Sequence, residues 1–573
     1  MILAQNGRTR YSIWYGEDCI ESEVFAAEEL SRTLMQVTGA NFAWVPGATI
    51  HEPAIIVGSP SYLKTIGIDL DKEALKSDGF IIRTVGENLV IAGGRPRGTL
   101  YGVYDFLEKF CGCRWFTPAA SKIPKKPTIE LGELDIKEVP PLEYRETFFC
   151  GNALDGPWAA HNRSNGQAHH LYRHLGGQIK YYPFVHTFAT LMSPEEYFDE
   201  HPEYFSEVDG KRLRERPQLC LTNEDVIAIC TEKVKGWIKD HPDASIFSVS
   251  QNDWYNPCTC PKCRAIDEAE GSHAGTLISF VNRIAENIEK DYPDVVIDTL
   301  AYQYTRTPPK TIRPRHNVCV RLCSIECCFA HPLEECDEIM SFGNRIHGDS
   351  FQSDLEGWAK VCERLYVWDY VVNFHHYVMP FPNFRVLGPN IRYFIRNNVK
   401  GIFEEGSTSS WGHTEFIELK SWVLAKLMWN PYQDYKPLVK EFIEGYYGQA
   451  APKVQAYFDL LEERMAASPE THFGIYDPPK KEYLRPEDIE KALSLFEEAK
   501  ALAEDDIIYE RVFSAGLPIR YWALLKAEKG EARDKAIDAF HDDLVQRNIM
   551  QITEGVELDE SIRRLREGIK YRF

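Results

Sequence analysis

Residues 248–268 read SVSQNDWYNPCTCPKCRAIDE. An apolar run from Ser245 to Val249 gives way at once to Gln251-Asn252-Asp253-Trp254, and a Cys-x-Cys-x-x-Cys knot follows. Two readings compete: a metal knot, or the end of a barrel strand that delivers an acid into a loop. Structural zinc takes four ligands, commonly from two close pairs. Cys258, Cys260 and Cys263 supply three, and nothing in the spacing shows whether Cys327 and Cys328 approach them. No thioredoxin-like context precedes the motif. The favoured reading is therefore strand, acid, then a thiol-braced loop. No cofactor is expected, and a structural zinc at Cys258, Cys260 and Cys263 is the less favoured alternative.

Working outward, the same rhythm recurs. Short apolar runs LEYRETFF (142–149), YYPFVHTF (181–188), PQLCLT (217–222), SIFSVSQND (245–253), VVIDTLAY (295–302), NVCVRLCSIE (317–326), RLYVWDYVV (364–372) and GIFEEG (401–406) alternate with amphipathic segments. Among the latter are EDVIAICTEKVKGWIKDH (224–241) and GTLISFVNRIAENIEKDY (275–292). Eight strands with interposed helices predict an α/β fold, a (β/α)8 TIM barrel over residues 136–430. An open doubly wound sheet would call for a glycine-rich phosphate loop, and neither G-x-G-x-x-G nor G-x-x-x-x-G-K-[ST] occurs.

Residues 1–135 read as a small α+β domain. Glu21–Gly39 has helical spacing, with Phe25, Leu30, Leu34 and Val37 on one face and Gly39 as a cap. PAIIVGSP (53–60) reads as a buried strand, and GFIIRTVGENLVIAGG (79–94) as a hairpin through Gly86-Glu87-Asn88. RGTLYGVYDFLEKFCGCRWFTP (97–118) adds a helix and a short strand, and 122–141 a connecting ribbon. Residues 431–573 are helical in pattern and form a C-terminal helical domain.

The chain has 573 residues, 44% hydrophobic and 26% charged, which suits a globular protein of several domains. Its 86 acidic against 65 basic residues give a net charge of -21. That argues against nucleic acid or an anionic membrane as partner, since phosphate binding needs clustered Lys and Arg. No run of 18 uncharged apolar residues is present. No secretory signal is read at the amino terminus, and the 15 cysteines suit a reducing compartment. A cytoplasmic location is expected. Self-association is left open.

In such a barrel the working groups lie at the C-terminal ends of the strands. Those ends offer Arg145, His186, Asn252 and Asp253, Tyr302, Glu326, then Trp368, Asp369 and Tyr370, and finally Glu404 and Glu405. Carboxylates can supply an acid and a nucleophile or base, rings can stack on sugar faces, and amides can bind hydroxyls. The inventory favours glycoside chemistry over phosphoryl or hydride transfer. Glu224, within TNED, reads as a helix N-terminus. Adjacent strand residues face opposite sides, so one of Glu404 and Glu405 faces the mouth and the other packs behind it. His375 and His376 read as loop-shaping.

The motifs SQNDWYNPCTCPKC, IECCFAHPL, LYVWDYVVNFHHYVMPFPN, VKGIFEEG and HPEYFSEVDGKR together resemble the bacterial domain of unknown function 4838, which overlaps glycoside hydrolase family 163. AAEELSRTLMQVTG and RGTLYGVYDFLEKFCGCRWFTP are similar to the small domain that precedes the barrel in α-glucuronidases and β-hexosaminidases. The resemblance implies a glycosidase acting on an oligosaccharide or glycoside, of the β-N-acetylglucosaminidase kind, with a 2-acetamido sugar. It also implies Glu404 rather than Glu405 as nucleophile or base, and Asp253 at the fourth strand end is the expected general acid. A second mechanism lets the substrate's own acetamido group attack, oriented by Asn252 or Asp253. Arg145, His186, Tyr302, Glu326, Trp368, Asp369, Tyr370 and Glu405 are the expected substrate-binding residues. Two other classes remain: a carbohydrate-binding barrel without catalysis, and a metal-dependent hydrolase or lyase using His186, Glu326 and Asp369.

Overall fold

The computed structural model describes residues 1–149, 151, 154–340, 350–407, 415–478 and 483–568. The N-terminal domain is a six-stranded sheet of β1 (Ser12–Tyr15), β2 (Trp44–Pro46), β3 (Ala54–Val57), β4 (Phe80–Val85), β5 (Asn88–Gly93) and β6 (Asp135–Glu138), in the order β6-β4-β5-β3-β1-β2. β4 and β5 form the expected hairpin, with Val85 opposite Asn88 and Gly86 at φ 61° in the turn. Helix α1 (Glu21–Thr38) buries Ala26, Ala27, Leu30, Leu34 and Val37, and Gly39 at φ 78° ends it in the left-handed conformation that glycine adopts freely. Helix α2 (Gly98–Phe106) is buried throughout. The ribbon after residue 122 is more than a connector: Asp135–Glu138 pairs with β4 and completes the sheet.

The barrel wall is a parallel sheet of β7 (Tyr144–Phe148), β8 (Ile246–Ser248), β9 (Val296–Ala301), β10 (Val318–Cys323), β11 (Arg364–Tyr370) and β12 (Val399–Glu405), ordered β7-β12-β11-β10-β9-β8. These strands are buried on both faces, hence their nearly continuous apolar runs. The second expected strand shrinks to one bridge, Tyr181 to Ile246, before the chain turns at Pro183. The third is displaced from the wall: Leu219 pairs antiparallel with Phe205, outside the barrel. Proline at 183 and 217 removes the N–H donors that longer ladders need. The fold is an α/β barrel of the (β/α)8 class with an incomplete second and third stave.

Helices α3 (Glu224–Asp240), α4 (Pro261–Glu270), α5 (Ala274–Glu289), α6 (Phe351–Val361), α7 (Phe384–Arg396) and α8 (Ile417–Trp429) follow in chain order. Asn223 caps α3 through the N–H groups of Asp225 and Val226, which puts Glu224 in its first turn beside Arg283, as its sequence context suggests. The C-terminal region adds α9 (Tyr435–Tyr447), α10 (Ala451–Ala467), α11 (Pro486–Leu502), α12 (Asp506–Lys526), α13 (Glu531–Gln546) and α14 (Leu558–Glu567). No helix among the described residues is long and apolar enough to cross a membrane.

Alternation along each strand sorts the side chains. Tyr144, Ile246, Val296, Cys319, Tyr366 and Phe403 share one cluster inside the barrel. Gly401 sits between Tyr144 and Tyr366, where a Cβ would come within 2.7 Å of one and 2.8 Å of the other. The Arg321 guanidinium lies 4.8–6.0 Å from the centroids of six rings, including Tyr181, Phe184 and Trp368, and its Nε is 3.8 Å from Asp298. Such a cation–π cage compensates part of the cost of burying the charge.

Candidate active site

The inward row above this cage continues with Cys323, Trp368, Tyr370 and Glu405. In register, Phe148, Glu405 and Tyr370 lie side by side, one step beyond Glu404 and its neighbours Thr147 and Asp369. The Trp368 indole N–H donates to Glu405 Oε2 at 2.7 Å. Burial pushes the Glu405 carboxyl up to about 8; the Trp368 hydrogen bond opposes this, and the carboxylates of Glu554 and Asp253 add to it. Burial and the two carboxylates thus favour the protonated acid at Glu405 over its anion.

Asp253 follows β8 and is exposed to the mouth. Its Oδ1 accepts the Tyr302 hydroxyl at 3.0 Å, and Gln303 Nε2 donates to that same hydroxyl at 3.0 Å. Burial raises the Tyr302 phenol well above its ordinary range, so it remains a donor. The His186 ring stands edge-on to Tyr302 at 5.8 Å, with Nδ1 donating to the Gln251 carbonyl at 2.8 Å. The Trp368 and Tyr370 rings stack at 6.3 Å. Asp253, His186, Tyr302, Trp368, Tyr370 and Glu405 thus come together.

Other expected site residues are held elsewhere. Glu404 lies on the outer face of β12, 1% exposed, with Oε2 lacking a hydrogen-bond partner among the described residues. Burial and the adjacent Asp369 raise its carboxyl well above the ordinary value. Asp369, also outward, accepts the Ser324 hydroxyl at 2.5 Å and is pushed by burial to about 6. This pair backs the strand. It does not face the cavity, because the period of two turns it away. Arg145 is outward too. It donates to Asp78 at 2.5 Å and to the carbonyls of Arg163 and Leu142, which ties the barrel to the N-terminal domain. Glu326 is buried against Arg306 at 2.8 Å, and Arg306 also holds Asp354 at 2.6 Å. The Asn252 amide is spent on backbone: Oδ1 accepts from Ala189 N–H and Nδ2 donates to the Pro217 carbonyl. It fixes the loop and is not turned toward a ligand.

Four further contributors escaped the reading of the sequence. Gln218 Nε2 donates to the carbonyls of Asn252, Trp254 and Tyr255, at 3.0, 2.7 and 3.2 Å, and its Oε1 accepts Asn252 N–H. The displaced third stave is thus a brace for the Asp253 loop. Cys220, two residues on, joins Cys258, Cys260 and Cys263, all four sulfurs lying within 4.8 Å of one another, which supplies the fourth thiol that spacing alone lacked. Tyr476 and Glu554 come from the C-terminal helical region. The Tyr476 hydroxyl donates to Glu554 Oε2 at 3.3 Å, and Phe374, just past β11, bonds Ile475 and Glu554 through its backbone. The only cue was two non-helical stretches, FGIYDPP and QITEGVEL, in a helical region. His375 donates to the Tyr476 carbonyl at 2.8 Å. His376 pairs with the Tyr521 hydroxyl, its basicity lowered by burial to about 3. His375 anchors this segment, and His376 ties the loop after β11 to α12.

A barrel whose strand ends gather two carboxylates, a tyrosine switched onto one and a tryptophan onto the other is built like the barrels of glycoside hydrolases. The family model "Domain of unknown function (DUF4838)" matches residues 115–459, and the chain belongs to that family. The model for the glycosyl hydrolase family 67 N-terminus matches residues 10–106. A curated relative, Probable alpha-glucuronidase A of Aspergillus terreus, is 33% identical over 85 residues, which is 14% of this chain and 10% of that protein. The match therefore spans only about a tenth of the relative. Among solved structures, the GH115 4-O-methyl-alpha-glucuronidase BtGH115A has a TM-score of 0.56 at 13% identity, covering 100% of this chain and 80% of that one. A family 89 glycoside hydrolase from Clostridium perfringens, in complex with PUGNAc, has a TM-score of 0.51 at 12% identity, covering 95% and 70%. At these identities the likeness is one of fold.

Proposed function

We propose that the protein is a glycoside hydrolase in which Glu405 is the general acid and Asp253 the nucleophile or base. The observation that carries this reading is the asymmetric pair: Glu405 buried on the Trp368 indole N–H, and Asp253 open to the mouth with a Tyr302 hydrogen bond. Two carboxyl groups in different environments are what glycosidic cleavage uses, one to protonate the leaving oxygen and one to attack or to activate water. Stacked Trp368 and Tyr370 offer a sugar-binding face. The binding-only reading gives no reason for a buried, protonated acid beside a second carboxylate. The Asn252 amide is committed to backbone, so in a substrate-assisted route Asp253 would be the group that orients the acetamido group.

Among the described residues, the charges that raise the Glu405 carboxyl are those of Glu554 and Asp253. A neutral sugar such as a 2-acetamido hexoside suits this mouth better than a uronate, whose carboxylate would be repelled. The test is a screen of aryl glycosides of both anomers, with 2-acetamido sugars and uronides included. The expected result is release from a neutral sugar, reduced about 10²-fold or more in Asp253→Asn, and in Glu405→Gln where the leaving group is poor. Preferential release from a uronide would replace the sugar reading. Release that is unaffected in both variants would remove the catalytic assignment.

A further inference from the structure

Two groups of metal-binding type occur among the described residues, and neither belongs to the mouth chemistry. One brings Cys328, His331 and Cys336, from the loop after β10, to His472 of the C-terminal region. Its four ligand atoms lie within 4.8 Å of one another. Cys328 Sγ is 3.5 Å from His331 Nδ1, and Cys336 Sγ is 3.6 Å from His472 Nδ1. A zinc tetrahedron with Zn–S of about 2.3 Å and Zn–N of about 2.0–2.1 Å has an S···N edge of about 3.6 Å. The tautomer fits as well. His331 Nε2 donates to the Pro469 carbonyl at 2.8 Å, which leaves the Nδ1 lone pair aimed at the sulfurs, the usual outer-shell arrangement of a ligating histidine. Ala330 N–H donates to Cys328 Sγ at 3.4 Å, a contact that suits a thiolate.

The second group is Cys220, Cys258, Cys260 and Cys263, all buried. Cys220 and Cys260 sulfurs are 3.8 Å apart, too far for a disulfide and equal to the S···S edge of about 3.8 Å in a zinc tetrathiolate. Glu207 N–H at 3.4 Å and the Arg212 guanidinium at 3.7 Å both point at Cys258 Sγ and offset its charge.

We propose that the chain binds two structural zinc ions, one in the mixed cysteine–histidine group and one in the all-cysteine group. Each clamps a segment that reaches the mouth. The all-cysteine site joins the displaced third stave to the loop that follows Asp253. The cysteine–histidine site joins the β10 loop to the segment that carries Tyr476. Both sites are closed by four protein ligands, so neither ion is a reaction centre.

The test is zinc content of the full-length chain after gel filtration with a weak chelator, for wild type, Cys336→Ser and Cys220→Ser. About two zinc per chain are expected in wild type and about one in each variant. A variant whose content equals that of wild type overturns the site it alters. Zinc-free wild type after refolding with zinc overturns both. Cobalt(II) titration of wild type serves if a variant fails to fold: tetrahedral thiolate bands should grow to about two equivalents, and an end point at one or none contradicts the pair. Amide exchange over residues 469–478 should rise in Cys336→Ser and stay unchanged in Cys220→Ser.

Discussion

At the residue scale, the decisive difference is between two adjacent glutamates. Glu404 and Glu405 share a strand, a buried setting and a raised pKa, but among the described residues only Glu405 has a polar partner on the cavity side. Trp368 tunes it. Its N–H stabilises the charged carboxylate, so Trp368→Phe should push the Glu405 pKa further up. A general acid works while protonated, and activity in the wild type should fall as pH rises through about 8. In Trp368→Phe this alkaline limb should move to higher pH, which a pH profile of kcat/KM measures; a limb that stays in place would show that Glu405 does not set it. Linkage runs the same way. A carboxyl whose folded pKa is raised holds its proton longer than in the unfolded chain, so stability drawn from Glu405 is lost as pH rises toward about 8.

At the element scale, strand ends carried most of what could be read. Asp253, Tyr302, Trp368, Tyr370 and Glu405 were all legible as polar or aromatic groups closing apolar runs. Alternation showed that one of Glu404 and Glu405 must face inward, but which one depends on register with Phe148 and Tyr370, a non-local fact. Arg145 and Glu326 looked like site residues only because their partners, Asp78 and Arg306, lie 67 and 20 positions away. The PQLCLT run has strand-like composition, yet it works as a brace through Gln218 and Cys220. Gln218→Ala leaves three loop carbonyls without that donor and should cost about 1–3 kcal/mol. Denaturant unfolding should show that loss, together with a fall in kcat from a loosened Asp253; unchanged stability would mean that the brace is dispensable.

At the scale of the whole molecule, the three regions meet around the barrel. Asp78 of the N-terminal domain sits between Arg97 and Arg145; burial pushes its carboxyl up, but the two guanidiniums hold it below the usual range. Helix α8 is buried along its length, with Ser421 on Thr147 of the wall and Lys426 on Glu108 of the N-terminal domain. The C-terminal region contributes Tyr476 and Glu554 beside the acid pair, so the mouth is finished only when the tail has packed. Domain-by-domain reading of the sequence could not reveal that sharing, because the contributing stretches are short and lie far from the barrel in the chain. The central claim is that this shared mouth uses Glu405 as its acid while Glu404 only backs the strand. The most direct measurement is kcat/KM of Glu405→Gln and Glu404→Gln on aryl glycosides with good and poor leaving groups. Glu405→Gln should lose about 10²-fold or more on the poor leaving group and much less on the good one, with Glu404→Gln near wild type on both. The opposite pattern, with the leaving-group-dependent loss in Glu404→Gln, would contradict the account.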